Sequence, residues 1–147
     1  MRVRKTMHRV FVYGTLKRGF PNDISEANGF HWLGPFRTIE AFPLVVGGRW
    51  FSPYLIAEPD EGHRVLGEVF EVDDQGLREL DRMEGTEVAN GYRRIRLAIE
   101  SEDKSTAFDA WTYVKDREMI EGVYSEPMIE YELDPKYVHP AKRTSDF

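Results

Sequence analysis

One stretch of this sequence carries a sustained helical period, and it lies among segments that alternate in the manner of β-strands. The helical stretch is residues 74–84, where the apolar stripe consists of Leu77, Leu80 and Met83. Asp73 and Asp74 offer capping oxygens at its start, and Gly85 provides the expected stop. One good helix among many strand-like segments predicts an α+β fold.

The predicted strands are short runs rich in β-branched and aromatic residues. They are residues 9–13, 36–46 with a break at Pro43, 65–72, 93–99 and 107–114. Residues 50–56 form a further apolar segment, and we expect a brief helical turn at residues 24–27. A polar turn at residues 101–105 predicts that the strands on either side of it form a hairpin. We therefore expect about six strands and few helices.

Length and charge favour a small protein without nucleic-acid or membrane partners. The 147 residues fit one domain, residues 1–147, whose tail at residues 116–147 has no sustained period and drapes over the rest. A net charge of −6 argues against a nucleic-acid surface. No apolar run is long enough for a leader or a membrane span. We expect a cytoplasmic protein and favour a monomer.

Motifs for metals and cofactors are missing from the sequence. The chain has no cysteine, and its four histidines form neither an HExxH nor an HxH pair. Gly14 and Gly19 have the spacing of a phosphate loop, but Phe20 and Pro21 stand where lysine and serine or threonine are needed. We therefore expect no metal and no cofactor.

The first candidate for function is the sequence Tyr13, Gly14, Thr15, Leu16, where a strand ends abruptly at a glycine. A turn of this kind can aim consecutive backbone N–H groups at one point, which suits a carboxylate or an oxyanion. The alternative interpretation is that Gly14 only ends the strand.

The second candidate is Glu84, which follows Leu77 by seven residues and Leu80 by four, on the apolar face of the helix. Burial and the negative end of the helix dipole both raise the pKa of a carboxyl group, toward a value suited to proton transfer. The alternative is a structural glutamate that is either partly exposed or held in an ion pair, for which Arg93 and Arg94 are the nearby partners.

Three other side chains are weaker candidates. Glu68 alternates with Leu66 and Phe70 and could also face inward, but the preferred interpretation is that Val65, Gly67 and Val69 face the core and Glu68 is solvated. Trp111 and Tyr113 share a strand face, so they would either wall a pocket or simply pack in the core.

Three sequence segments resemble the γ-glutamylcyclotransferase-like family, and most closely its γ-glutamylamine cyclotransferase branch. They are VFVYGTLKRG with the FPN that follows it, LGEVFEV, and LDRMEG followed by YRR. The resemblance covers about residues 10–114 and leaves the tail unassigned. It implies a small closed mixed β-barrel of about six strands with a few flanking helices.

The resemblance also implies a function for both candidates. Tyr13, Gly14, Thr15 and Leu16 correspond to the family's binding loop, and Glu84 corresponds to its catalytic glutamate. The implied reaction releases 5-oxoproline and a free amine from a small γ-glutamyl substrate, without metal or cofactor. Two other functions on the same fold are a non-catalytic barrel that binds a small metabolite and a γ-glutamyl hydrolase or tailoring enzyme.

Overall fold

The structure is a computed structural model that describes residues 6–144. Seven strands and one α-helix form in this part of the chain. The strands are β1 Met7–Val12, β2 Phe30–Phe42, β3 Leu44–Gly47, β4 Ser52–Leu55, β5 His63–Asp73, β6 Arg93–Ser101 and β7 Ala107–Val114. The helix α1 spans Asp74–Glu84 and follows β5 directly.

Five of the strands close into a barrel in the order β1, β5, β2, β6 and β7. Neighbouring strands are antiparallel except β7 and β1, which close the barrel by parallel pairing with Val10 opposite Trp111. Strands β3 and β4 pair with each other as a separate two-stranded sheet. The predicted α+β class and the small closed mixed barrel are confirmed. The predicted hairpin is formed by β6 and β7.

Strand β1 is apolar on both faces because it has a hydrophobic cluster on each side. Phe11 belongs to the cluster to which all five barrel strands contribute. Val10 and Val12 point the other way and pack with Leu77 and Leu80 of α1. The alternation of side chains along a strand thus places the barrel core on one side of β1 and the helix on the other. The loop that follows β1 therefore starts from a strand that has the barrel core on one face and α1 on the other.

Local sequence signals account for both ends of α1. The Asp73 side chain accepts a hydrogen bond from the Gly76 N–H at 2.8 Å, and Gly85 takes the left-handed conformation with φ of 68°. The prediction that Met83 belongs to the buried stripe is wrong, because its side chain is 41% exposed. Met83 directly precedes Glu84, so it points about 100° away around the helix, at the edge of the packed face.

Two further predictions about elements need correction. Strand β2 begins at Phe30 rather than at residue 36. Gly34 and Pro35 do not end the strand, because the pairing with β5 shifts its register between Trp32 and Gly34, where Gly34 has φ of 110°. Residues 24–27 form a turn closed by the Ala27 N–H and the Ile24 carbonyl at 3.1 Å, rather than a helical segment.

The segment after β7 packs closely against the barrel without forming a strand of its own in the described chain. Tyr131 is fully buried in the cluster shared by the five barrel strands. Nearby, the Ile129 carbonyl accepts a hydrogen bond from the Leu66 N–H at 2.8 Å. Regular structure in residues 116–144 is limited to the short 3₁₀ turns Arg117–Met119 and Pro140–Lys142.

Candidate active site

A pocket opens where β1 ends, beside the last residue of α1. Its empty volume is about 360 Å³, including the open mouth. All five residues predicted for the site line it, namely Tyr13, Gly14, Thr15, Leu16 and Glu84. The remaining wall is formed by Phe11, Val12, Pro53, Tyr92 and Tyr113. The fold therefore brings together two candidates that lie about seventy residues apart in the sequence.

The loop after β1 is held in shape by hydrogen bonds that leave its own N–H groups free. The Gly14 carbonyl accepts from the Lys17 N–H at 3.1 Å, and the Thr15 carbonyl accepts from the Asn22 N–H at 2.9 Å. The Asn22 side chain also donates to the Thr15 hydroxyl at 2.9 Å. Within residues 6–144, the N–H groups of Gly14, Thr15 and Leu16 find no acceptor. Three consecutive unpaired donors beside a pocket suit an anionic ligand.

Gly14 is needed at this position because of a close approach rather than an unusual backbone angle. A Cβ built on Gly14 would lie 2.5 Å from Cγ of Pro53, and the backbone is not left-handed. Pro53 lies on β4 and lines the same pocket. Any side chain at Gly14 must therefore displace either the loop or the opposite wall of the pocket.

Glu84 is the last residue of α1, and its backbone is fixed by the chain that returns to the barrel. The Glu84 carbonyl accepts a hydrogen bond from the Tyr92 N–H at 2.8 Å. The residue keeps some contact with solvent through the pocket, yet burial raises the pKa of its carboxyl group to about 7. The positive charges of Arg143 and Lys115 oppose this rise in pKa.

Among the described residues, Glu84 forms no ion pair with Arg93 or Arg94. Arg93 pairs with Asp116 at 2.8 Å, and Arg94 pairs with Asp81 at 3.1 Å. Both arginines are thus engaged with other carboxylates, which leaves Glu84 facing the pocket without an arginine partner from this strand.

Tyrosine hydroxyls around the pocket already donate to protein acceptors. Tyr13 donates to the Tyr113 carbonyl at 2.7 Å, and Tyr113 donates to the Asp81 carboxylate at 2.8 Å. Tyr92 donates to the Pro53 carbonyl at 3.1 Å. Burial, with the negative charge of Glu84 nearby, raises the pKa of Tyr13 well above its usual range. These phenols therefore remain neutral and make a rigid, weakly polar wall.

The weaker candidates separate clearly in the structure. Tyr113 lines the pocket, whereas Trp111 lies outside it beneath Arg94. Glu68 is not part of the pocket wall, because its carboxylate accepts hydrogen bonds from the Arg18 N–H at 2.8 Å and from the Trp32 indole at 3.2 Å. Glu68 thus anchors the far end of the loop.

Pro53 and Tyr92 were not predicted as site residues. The close approach of Pro53 to Gly14 is a tertiary contact between β4 and the loop after β1, and the local sequence has no signal for it. Tyr92 lies only eight residues after Glu84, but it reaches the pocket because the intervening loop returns to the Glu84 carbonyl.

The described residues contain neither a cluster of metal ligands nor a membrane-spanning helix. Within residues 6–144, no three side chains of histidine, aspartate or glutamate converge as metal ligands would. In the same part of the chain, no helix has the length and apolar character needed to cross a membrane.

The fold of this chain also occurs in solved structures of AIG2-like proteins. The crystal structure of an AIG2-like protein from Mus musculus superposes with a TM-score of 0.77 at 29% identity, covering 93% of this chain and 99% of that one. The chain belongs to the γ-glutamyl cyclotransferase, AIG2-like family, whose sequence model matches residues 10–133. The match extends past residue 114, so the expectation that the whole tail lies outside the family is corrected.

Curated relatives carry a more specific name. A γ-glutamylaminecyclotransferase from Rattus norvegicus is 49% identical over 97 residues, which cover 63% of this chain and 64% of the rat protein. The chain thus spans just under two thirds of that relative's length in this match. A γ-glutamylaminecyclotransferase from Bos taurus is 37% identical over 132 residues, covering 87% of this chain and 77% of the bovine protein.

Proposed function

We propose that this protein is a γ-glutamylamine cyclotransferase that converts a γ-glutamyl amine into 5-oxoproline and a free amine. The observation that carries the proposal is the meeting of Glu84, with a carboxyl pKa of about 7, and three unpaired backbone N–H groups in one pocket. One group is suited to moving a proton and the other to holding negative charge. The names of the rat and bovine relatives support the choice of substrate class.

In the proposed mechanism, Glu84 acts first as a base and then as an acid. Its carboxylate takes a proton from the α-ammonium of the substrate, and the freed amine attacks the γ-carbonyl carbon of the same molecule. Closure of a five-membered ring is fast because both reacting groups are already held together. The bond from the γ-carbon to the leaving nitrogen then breaks as Glu84 returns its proton to that nitrogen. The new ring nitrogen loses its second proton to Glu84, which passes it to the released amine, so the amine departs as an ammonium ion.

The loop after β1 would hold the negative charge in this reaction. The N–H groups of Gly14, Thr15 and Leu16 can bind the substrate carboxylate or the oxygen that becomes negative during attack. The two products together contain every atom of the substrate, so no water, oxidant or other reactant enters the balance. Because the reaction balances without another reactant, we propose that it needs no cofactor.

Identification of the products tests the proposal against its two alternatives. We would incubate the purified full chain with a panel of γ-glutamyl amines and γ-glutamyl peptides and analyse the products by mass spectrometry. We expect 5-oxoproline. Free glutamate would instead establish a hydrolase that uses the same pocket, and an unchanged substrate that binds measurably would establish a binding module.

The rate should depend on pH through the ionisation of Glu84. The proposed base must be ionised in the free enzyme, and its pKa is about 7. We therefore expect kcat/KM to rise with pH and to reach half of its plateau near pH 7, falling about tenfold per pH unit well below that value. Initial rates between pH 5 and pH 8.5 measure the profile, and a profile that is flat down to pH 5.5 would contradict the role of Glu84 as base.

The substrate preference should favour amines over α-amino acids as leaving groups. Among the described residues that line the pocket, none is a lysine or an arginine. A γ-glutamyl α-amino acid such as γ-glutamylalanine would place its second carboxylate next to the bond that breaks, where this wall offers no cation. In γ-glutamyl-ε-lysine the corresponding carboxylate lies at the far end of a flexible chain.

We expect kcat/KM to be at least about tenfold higher for γ-glutamyl-ε-lysine than for γ-glutamylalanine, since an unpaired buried charge readily costs more than 1.4 kcal/mol. Both values should be measured in one buffer. Equal values, or a preference for γ-glutamylalanine, would assign this chain to another branch of the family without changing the roles proposed for Glu84 and the loop.

A further inference from the structure

Two cationic side chains act on Glu84 although neither lines the pocket. Lys115 follows β7 directly and is only 4% exposed. Its ammonium lies 5.2 Å from the ring centre of Tyr54 and 5.4 Å from that of Tyr92. The two rings stack at 5.5 Å, and Tyr92 lines the pocket. Lys115 therefore contacts a tyrosine of the pocket wall without itself lining the pocket.

The second cation, Arg143, is brought to the same region by the segment that ends the described chain. Its Nε donates to the Val138 carbonyl at 2.9 Å, and its guanidinium lies 5.5 Å from the ring centre of Tyr137. One terminal nitrogen lies 3.4 Å from the hydroxyl of Ser52. Ser52 directly precedes Pro53, so Arg143 is anchored beside the β4 wall of the pocket.

The same segment is tied to the binding loop. The Tyr137 hydroxyl accepts a hydrogen bond from the Asn22 side chain at 2.8 Å. The same Asn22 nitrogen donates to the Thr15 hydroxyl at 2.9 Å. Arg143 is therefore connected to the β4 wall of the pocket through Ser52. It is connected to the loop after β1 through Tyr137 and Asn22.

Lys115 is unusual because the residue is only 4% exposed and its ammonium has no direct partner among the described residues. In the described chain its ammonium forms no ion pair and donates no hydrogen bond. It contacts the rings of Tyr54 and Tyr92. Burial of such a charge costs free energy unless an anion compensates it. Burial lowers the pKa of Lys115, and the negative charge of Glu84 opposes this effect. Glu84 is thus the anion that compensates Lys115 at longer range.

Charged and titratable groups approach Glu84 from five parts of the fold. They are Tyr13 after β1, Tyr54 on β4, Tyr92 before β6, Tyr113 and Lys115 on and after β7, and Arg143 in the tail. The tyrosines are neutral at physiological pH, since burial raises the pKa of each phenol. The two cations are consequently the groups in this set that favour the ionised form of Glu84.

We propose that Lys115 and Arg143 are positioning residues for this reaction, which stabilise the ionised carboxylate of Glu84 from outside the pocket lining so that it can accept a proton at neutral pH. The role of the two cations in catalysis rests on the proposed function. Their electrostatic effect on Glu84 can be measured without any substrate. Without these cations, a carboxyl buried at a helix C-terminus would stay protonated over most of the neutral range.

The test is a titration of Glu84 in the full chain by ¹³C NMR of its carboxyl carbon, assigned by its absence in Glu84→Gln. We expect Lys115→Met and Arg143→Met each to raise the midpoint by roughly one pH unit. Arg143→Lys should keep the wild-type midpoint to within a few tenths of a unit. Lys142→Met is the matched control, because it removes the same charge from the neighbouring, exposed position and should leave the midpoint unchanged.

Kinetics provide a second readout that a merely structural role would not change. At pH 6.5 both methionine variants should lose roughly tenfold in kcat/KM, whereas at pH 9 they should approach the wild-type value because Glu84 is then ionised in every protein. An equal loss at both pH values would overturn the proposal, because it would indicate structural damage.

Other outcomes are equally decisive. An unchanged NMR midpoint in the folded variants would overturn the proposal, and so would a shift of the same size in Lys142→Met. If Lys115→Met does not fold, Arg143→Met decides, since Arg143 is only partly buried. Midpoints that shift as expected in a protein that makes no 5-oxoproline would support the electrostatic role of the two cations and refute the proposed function instead.

Discussion

Replacement of Glu84 by glutamine should lower kcat by about a hundred- to ten-thousandfold, the usual cost of losing a general acid–base group. Glutamine keeps the size of the side chain and its contact with the pocket, but it can neither take nor return a proton. Binding of 5-oxoproline should change by less than about threefold, because the proposed anion contacts are made by the loop after β1. Rates with γ-glutamyl-ε-lysine and calorimetry with 5-oxoproline provide the two measurements.

Measurements of thermal stability distinguish a loss of catalysis in Glu84→Gln from unfolding. The raised pKa of Glu84 sets the direction in which the stability of this variant should differ from that of wild type. Glu84 titrates near 7 in the folded protein and near 4 when unfolded, so its protonated form contributes stability that is lost as pH rises through 7. Glutamine has no such loss. The variant should therefore melt at the same temperature as wild type near pH 4 and at a higher temperature at pH 8.

Glu87→Gln is the matched control, because Glu87 is exposed on the loop that follows α1 and should keep full activity. Near wild-type turnover in Glu84→Gln would remove Glu84 from the mechanism. Glu68 would then be the next carboxylate to test, although it does not line the pocket and its carboxylate accepts hydrogen bonds from Arg18 and Trp32.

Replacement of Gly14 by valine should weaken binding of 5-oxoproline by about ten- to a hundredfold, the cost of losing a hydrogen bond to a charged group. The new Cβ would lie 2.5 Å from Cγ of Pro53, so the loop must move and its N–H groups must turn away from the ligand. Overpacking of this kind typically lowers the free energy of unfolding by about 1–3 kcal/mol. Calorimetry and thermal melting measure the two effects separately.

A double-mutant cycle with Pro53→Ala gives this prediction a control. Removal of the Pro53 ring takes away the nearest clashing atom, so the double variant should recover part of the lost binding and part of the lost stability. A folded Gly14→Val protein that binds 5-oxoproline as wild type does would show that the N–H groups are not the ligand site. Gly14 would then serve only to end β1.

The helix and its glutamate could be predicted because the signals are local. Asp73 and Gly85 fix the two ends of α1, and the spacing from Leu77 and Leu80 places Glu84 on the packed face. The same spacing failed for Met83, because local periodicity does not show how wide the packed face is at the end of a helix. Only the tertiary contact of α1 with the outer face of the barrel sets that width.

The rest of the pocket could not be predicted, because it depends on contacts between distant parts of the chain. Pro53 meets Gly14 across the mouth of the barrel, and Arg143 reaches Ser52 from the end of the described chain. The tail has no period that would reveal an element, yet Tyr131 is fully buried and its carbonyl accepts a hydrogen bond from Lys17 at 3.0 Å. A segment without secondary structure can still complete a core, and its sequence pattern gives no sign of it.

The placement of β1 between two partner strands has a consequence for how a ligand would bind. Because β1 pairs with β5 on one side and β7 on the other, the loop that begins at Tyr13 starts from a strand with a partner on each side. Hydrogen bonds from Lys17 and Asn22 then fix the loop within a few residues of that strand. The N–H groups proposed to bind an anion are thus already held in place by hydrogen bonds. We therefore expect that ligand binding costs little conformational entropy and does not have to wait for a loop to close.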